Sequence, residues 1–214
     1  MATDLRGPGL RGLYAVTPDD DLLPRLSNLV GQALAGGVRL VQYRNKHAAA
    51  PLRRAQAAEL LRLCRACDAR LIVNDDLDLA LEIGADGVHL GRDDGNLGQA
   101  RAALGPGRIL GVSCYDDLAA GAVAHAAGAD YLAFGSVFAS STKPQAKRAA
   151  LELLGAAKRR FALPICAIGG ITLANAPQAI TAGADLLAVI TDLFDAGDIT
   201  ARAREYERLF LGTA

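Results

Sequence analysis

The segment Gln42-Tyr43-Arg44-Asn45-Lys46 sets an amide and two cations on alternate residues. In an extended chain Gln42, Arg44 and Lys46 share one side, and a planar guanidinium fork beside an ammonium suits the oxygens of a phosphate or pyrophosphate. An isolated Arg-x-Lys is more often a solvated loop, so its meaning depends on where the segment lies in the fold. Asn74-Asp75-Asp76 and Gly91-Arg92-Asp93-Asp94 supply carboxylates. Two of these facing a basic pocket fit a magnesium ion that completes its octahedron with water and substrate phosphate. Asp76 and Asp78 fall where a helix should start and read as helix capping, which leaves Asp75 and Asp94 as the candidate metal pair. Ser140, Ser141 and Thr142 precede Lys143, a run that can offer hydroxyl and backbone donors to a second phosphate with an ammonium beside it. Further on, Gly169-Gly170 would let an anion approach backbone N–H groups closely or would serve helix packing, and Ile190-Thr191 ends the last apolar run.

The elements that must position these residues follow from an alternation of short β-rich runs with Ala/Leu-rich helical stretches, the pattern of parallel βαβ units. The strand runs are Gly12–Val16, Val38–Tyr43, Arg70–Val73, Gly87–Leu90, Ile109–Val112, Tyr131–Phe134, Ile165–Ile168 and Leu187–Ile190, each followed by a helical stretch. The runs are continuously apolar, as in a sheet covered by helices on one face and packed side chains on the other. Gly84-Ala85-Asp86, Gly128-Ala129-Asp130 and Gly183-Ala184-Asp185 precede the fourth, sixth and eighth runs, with Gly36-Gly37 in the same place before the second. Eight strands with repeated punctuation predict an α/β fold of a single (β/α)8 TIM barrel over residues 1–214, in preference to an open doubly wound sheet. Chemistry then belongs at the carboxyl ends of the strands, which is where the candidate phosphate and metal residues fall.

Composition excludes several classes. The chain has 214 residues, 51% hydrophobic and 21% charged, enough for a sizeable core and against disorder. Its 23 Lys+Arg balance 23 Asp+Glu, so no global field steers it to nucleic acid or an anionic membrane, and any basic site is local. No apolar run approaches the roughly 18–20 residues of a membrane span, and Met1 to Leu13 lacks the apolar block of a signal peptide. The chain reads as cytoplasmic, with its four Cys as thiols. Cys64-x-x-Cys67 shares a helix face with Leu60 and reads as buried, with no second ligand pair for zinc. Cys114 has no neighbouring His to make it a nucleophile, and His89 reads at least as well as a hydrogen-bonded core histidine as an acid or base. His47 and His125 read as loop and helix-surface residues. No sequence feature sets an oligomeric state.

Taken in order and spacing, Gln42-x-Arg44-x-Lys46, Asn74-Asp75, Gly87-Val88-His89-Leu90-Gly91-x-x-Asp94, Gly111-Val112-Ser113, Thr142-Lys143, Ala167-Ile168-Gly169-Gly170-Ile171 and Val189-Ile190-Thr191 resemble the thiamine phosphate synthase family over nearly the whole chain. The resemblance implies condensation of 4-amino-2-methyl-5-hydroxymethylpyrimidine pyrophosphate with thiazole phosphate, giving thiamine phosphate and pyrophosphate. It assigns Gln42, Arg44, Lys46, Asn74, Ser113 and Lys143 to the pyrimidine pyrophosphate, with Tyr43 and Asn45 in the same substrate-binding segment. It gives Asp75 and Asp94 to Mg2+, and Ser140, Ser141, Thr142, Gly170, Ile190 and Thr191 to the thiazole phosphate. Arg44, Lys46 and Lys143 are the expected catalytic cations in a dissociative, magnesium-assisted reaction that needs no covalent enzyme intermediate. The chain departs from the family's usual residues at Asn45 (often Glu), Ser140 (often Thr) and Thr191 (often Ser), and Pro144–Ala150 lacks the expected glycine. Two other readings share the barrel: a thiazole tautomerase, against which Asp94 and the Arg44/Lys46 pair argue, and a non-catalytic thiamine-precursor-binding barrel.

Overall fold

A computed structural model describes residues 9–91, 94–139 and 148–211. Strands and helices alternate as β1 (Gly12–Val16), α1 (Leu23–Ala35), β2 (Leu40–Tyr43), α2 (Ala50–Ala66), β3 (Arg70–Asn74), α3 (Leu77–Ile83), β4 (Gly87–Leu90), α4 (Leu97–Leu104), β5 (Ile109–Tyr115), α5 (Leu118–Ala126), β6 (Tyr131–Gly135), α6 (Glu152–Arg160), β7 (Ile165–Ile168), α7 (Ala176–Thr181) and β8 (Leu186–Val189). After β8 come a four-residue helix, α8 (Thr191–Phe194), and a long closing helix, α9 (Ile199–Leu211). All eight strands are parallel in chain order, and β8 pairs back onto β1, with Leu13 opposite Leu187, to close the barrel.

Two apolar layers hold it together. Leu13, Ala15, Val41, Tyr43, Leu71, Val73, Val88, Leu90, Leu110, Val112, Leu132, Phe134, Ala167 and Leu187 face outward into the layer shared with the helices. Tyr14, Val16, Leu40, Ile72, Ile109, Tyr131, Ala133, Cys166, Leu186 and Ala188 fill the barrel itself. Because side chains alternate along a strand, this parity decides which residues reach the mouth: continuing the inward series carries β2 to Gln42, β3 to Asn74, β4 to His89 and β5 to Ser113.

The repeated Gly-Ala-Asp triplets belong to the opposite, amino-terminal face. Their glycines take positive φ of 69°, 85° and 113°, and Gly37 takes 109°, turning each helix into the next strand. The aspartates then clamp that face. Asp86, Asp130 and Asp185 accept hydrogen bonds from the backbone N–H of Leu71, Leu110 and Ile165 at 2.8, 2.7 and 2.8 Å. Strand two starts at Leu40 rather than Val38, because the Val38 N–H is donated to Ala33 at the end of α1. Among the described residues no helix is long and apolar enough to cross a membrane.

Candidate active site

The carboxyl ends of the strands surround a cavity of about 500 Å3. Gln42, Arg44, Lys46, Asn74, Asp75, Asp94, Ser113, Gly170, Ile190 and Thr191 all line it, so residues spread over 150 positions of sequence meet in one place. Tyr43 and Asn45 do not line this cavity. They lie on the other face of the same segment, where the Tyr43 hydroxyl donates to Gln56 Oε1 at 2.8 Å and the Asn45 amide donates to the Asp20 carbonyl at 2.8 Å. Both border instead a second recess shared with Arg53, Asp75 and Asp94. Ser140, Ser141, Thr142 and Lys143 lie outside the described residues.

The cations are held by the loop after β1. Arg44 Nη1 donates to Asp19 Oδ2 at 2.9 Å, the Lys46 N–H donates to Asp19 Oδ1 at 2.8 Å, and Thr17 Oγ1 both accepts from the Arg44 N–H and donates to its carbonyl. One carboxylate therefore fixes both cationic residues, and it comes from the loop after β1 rather than from position 45 between the two cations. Lys46 also reaches Asp75, Nζ to Oδ2 3.0 Å.

Asp75 and Asp94 share a hydrogen bond, so two carboxyl groups meet at the edge of the cation cluster. Burial raises the Asp75 carboxyl, but the bond with Asp94, the Lys46 ammonium and Asn74 together bring it below the ordinary range. Burial and the neighbouring Asp75 push the Asp94 carboxyl up, against a hydrogen bond of 2.7 Å from the Gly91 N–H. A proton shared between paired carboxylates is what a divalent cation would replace. Gly91 makes room here, since a Cβ on it would stand 2.6 Å from Asp94 Oδ2. Among the described residues no group of three or more His, Cys, Asp or Glu gathers into a self-contained metal cage. Asp76 caps α3 by accepting from the Leu79 N–H at 3.0 Å, and Asp78 follows in the first turn.

The far wall is built from β7 and β8. Ile168, Ala188 and Ile190 give it an apolar face, with Gly169, Gly170 and Thr191 around it. The space beside the glycine pair is used by the protein: a Cβ on Gly170 would lie 2.1 Å from the Ala139 carbonyl oxygen. Asp192 Oδ2 locks this corner by accepting from the Leu173 N–H, Arg202 Nη1 and the Tyr206 hydroxyl at 3.2, 2.6 and 2.7 Å.

Below the mouth runs a buried polar string. Gln42 Nε2 donates to the Tyr14 hydroxyl at 2.8 Å, Tyr14 meets the Tyr131 hydroxyl at 2.8 Å, and Tyr131 meets His89 Nδ1 at 2.8 Å. His89 Nε2 meets Ser113 Oγ at 2.8 Å. Burial lowers the His89 pKa to about 4, so the ring is neutral at neutral pH. Gly111 is required for this arrangement, because a Cβ there would stand 2.0 Å from Cζ of Tyr131.

The cysteines are all free thiols. Cys114 is buried outside the mouth, and burial pushes its thiol up to about 12, as it does that of Cys64. Cys67 corrects an expectation: it is exposed at the C-cap of α2 rather than buried with Cys64, because the helix ends at Ala66 and the chain turns away. Asp19, Thr17, Tyr14 and Tyr131 are site-supporting residues without a sequence signal. Nothing local marks a β1 loop as crossing to β2, and two interior tyrosines read as core.

The Thiamine monophosphate synthase family model matches residues 13–193. A thiamine-phosphate synthase of Aromatoleum aromaticum is 55% identical over 201 residues, covering 94% of this chain and 97% of that protein. One of Methylobacillus flagellatus is 53% identical over 203 residues, covering 95% and 97%. The solved thiamine phosphate pyrophosphorylase of Pyrococcus furiosus is 34% identical and superposes with a TM-score of 0.83 over 92% of this chain and 94% of that one. With a closed barrel and the motif residues gathered at its mouth, this chain belongs to the thiamine-phosphate synthase family, transferases of thiamine biosynthesis.

Proposed function

We propose that the protein condenses 4-amino-2-methyl-5-hydroxymethylpyrimidine pyrophosphate with thiazole phosphate, releasing pyrophosphate. The observation that carries the reading is the division of one cavity into a charged wall, with Arg44, Lys46, Asp75 and Asp94, and an apolar wall with Ile168, Ala188 and Ile190. A pyrophosphate needs the first, and the organic portions of two precursors need the second.

Asp75 and Asp94 would hold Mg2+ beside the bound pyrophosphate. When bound, the ion would supply positive charge to the leaving pyrophosphate. Arg44 and Lys46 would add positive charge to the same group: Asp19 holds the Arg44 guanidinium and the Lys46 backbone before substrate arrives, and the Lys46 ammonium stands beside Asp75. The carbon–oxygen bond breaks with its electron pair going to pyrophosphate, and the pyrimidine methyl cation is captured by the thiazole nitrogen. Gln42, Asn74 and Ser113 would orient the pyrimidine pyrophosphate. Gly170, Ile190 and Thr191 would seat the thiazole phosphate, joined by Ser140, Ser141 and Thr142. Lys143 would add a further cation for the leaving group, and Tyr43 and Asn45 would act by shaping the segment that carries Arg44 and Lys46. We take residues 1–214 as one barrel domain, and four free thiols suit a reducing cytoplasm.

Calorimetry with each precursor separately tests the division of the cavity. Arg44→Ala should weaken the pyrimidine pyrophosphate and leave thiazole phosphate unchanged, while Thr191→Ala should do the reverse. Equal weakening of both ligands by either variant would contradict the two-walled reading.

A further inference from the structure

The buried string beneath the mouth has a direction, and the direction follows from counting protons. Gln42 gives an amide proton to the Tyr14 oxygen, so the Tyr14 hydroxyl must donate elsewhere, and the Tyr131 oxygen is 2.8 Å away. Tyr131, having accepted from Tyr14, places its own proton on His89 Nδ1. A doubly protonated ring does not fit, since Nδ1–H against Tyr131 would leave the buried Tyr131 hydroxyl proton without an acceptor. His89 therefore keeps its proton on Nε2, facing Ser113 Oγ at 2.8 Å. We propose that Tyr14, Tyr131 and His89 form a positioning relay that holds His89 as the Nε2–H tautomer and turns the Ser113 hydroxyl into a proton donor aimed at the ligand.

The geometry leaves little freedom. Tyr14 and Tyr131 cross edge to face with centroids 5.7 Å apart, and His89 stacks on Tyr131 at 5.6 Å with 22° between planes. Tyr14, Tyr131 and His89 are buried, and Ser113 lines the cavity and is only partly buried. The relay thus joins two cavity residues, Gln42 and Ser113, through the barrel interior. If the Gln42 amide were turned over, every bond would reverse and the Ser113 proton would be committed to His89. Ser113 would then face the ligand only as an acceptor, the wrong polarity for a site built around an anion. Tyr14 and Tyr131 do not line the cavity, and His89, which borders it, has one ring nitrogen on Tyr131 and the other on Ser113, so the relay acts on a bound ligand through Ser113. The identity of that ligand rests on the synthase reading, and the tautomer rests on the Gln42 amide donating to the Tyr14 oxygen.

The chain has three histidines, and His47 and His125 are exposed. Histidine-selective 15N NMR of the ligand-free protein, with His89 assigned by its loss in His89→Gln, reports the tautomer directly. The expected result is an unprotonated, pyridine-like Nδ1 and a protonated Nε2 on His89, with His47 and His125 exchanging between tautomers. A protonated Nδ1 on His89 overturns the proposal and needs no variant to be folded. A double-mutant cycle tests the coupling, using calorimetric titration with the pyrimidine pyrophosphate and magnesium. Tyr131→Phe should weaken binding about tenfold in the wild-type background, the scale of one hydrogen bond to a charged group, and less than about twofold in Ser113→Ala. Equal weakening in both backgrounds overturns the relay. Absence of turnover in a protein with the Nε2–H tautomer and a coupled cycle would count against the synthase reading and leave the relay standing.

Discussion

His89 should make the protein acid-labile over a defined pH window. Its pKa is about 6.5 in an unfolded chain and about 4 in the folded barrel, where burial disfavours the charged ring. The unfolded chain therefore binds the proton more readily, and stability rises with pH between the two values. The contribution is complete above about pH 6.5 and is lost progressively as pH falls toward 4. A difference of about 2.5 units corresponds to about 3 kcal/mol in full, of which about 2 kcal/mol is lost by pH 5. Urea unfolding of wild type and His89→Gln at pH 7.5 and pH 5 isolates this term. The variant starts from lower stability because its hydrogen bonds to Tyr131 and Ser113 are altered, but its further loss on acidification should be about 2 kcal/mol smaller than that of wild type. Equal losses in the two proteins, or a directly measured His89 pKa near 6.5, would refute the argument that the interior holds a neutral ring.

Asp94→Asn and Asp75→Asn should each raise the half-saturating magnesium concentration for turnover by at least about tenfold with the circular dichroism spectrum preserved; an unchanged titration in both variants would remove the metal assignment. Gly91→Ala forces a Cβ to within 2.6 Å of the present Asp94 Oδ2 position, and the same titration should show a higher magnesium requirement while thiazole phosphate affinity stays at the wild-type value. Lys143→Ala should lower the saturated single-turnover rate by about 2–4 kcal/mol in activation free energy, the scale for losing one preorganised donor to developing charge; a fall in affinity at an unchanged saturated rate would make Lys143 a binding residue only.

Much of the barrel was legible because parallel strands covered on both faces are short continuous apolar runs. Six of the eight runs begin where the strands begin, and β1, β4 and β7 also end where expected. The differences lie where hydrogen bonding decides and composition does not. Val38 belongs to the turn closing α1, and β5 runs on to Tyr115 through a register irregularity between Ser113 and Tyr115. At the end of β8, Ile190 leaves the sheet as the N-cap of α8. In the site, alternation alone placed Gln42, Arg44 and Lys46 together. It could not show that Tyr43 and Asn45 turn to the helix side, because a strand's outward residues are assigned only once its inward layer is known. Asp19 was invisible for another reason. It is 25 residues from Arg44, and an acidic residue in a loop carries no local mark of the cation it will meet. Tyr14 and Tyr131 read as apolar core because most of each side chain is; only the closed barrel brings their hydroxyl groups to 2.8 Å.

The central claim is that the charged wall and the apolar wall of one cavity join two precursors with loss of pyrophosphate. Mixing the purified protein with hydroxymethylpyrimidine pyrophosphate, thiazole phosphate and magnesium, and quantifying thiamine phosphate and pyrophosphate in the same quenched samples, tests it most directly. The account predicts equimolar appearance of both products, dependent on both precursors and abolished by chelation of magnesium. A folded, magnesium-loaded protein that binds both precursors and forms no thiamine phosphate, or that releases pyrophosphate without forming it, would contradict the account.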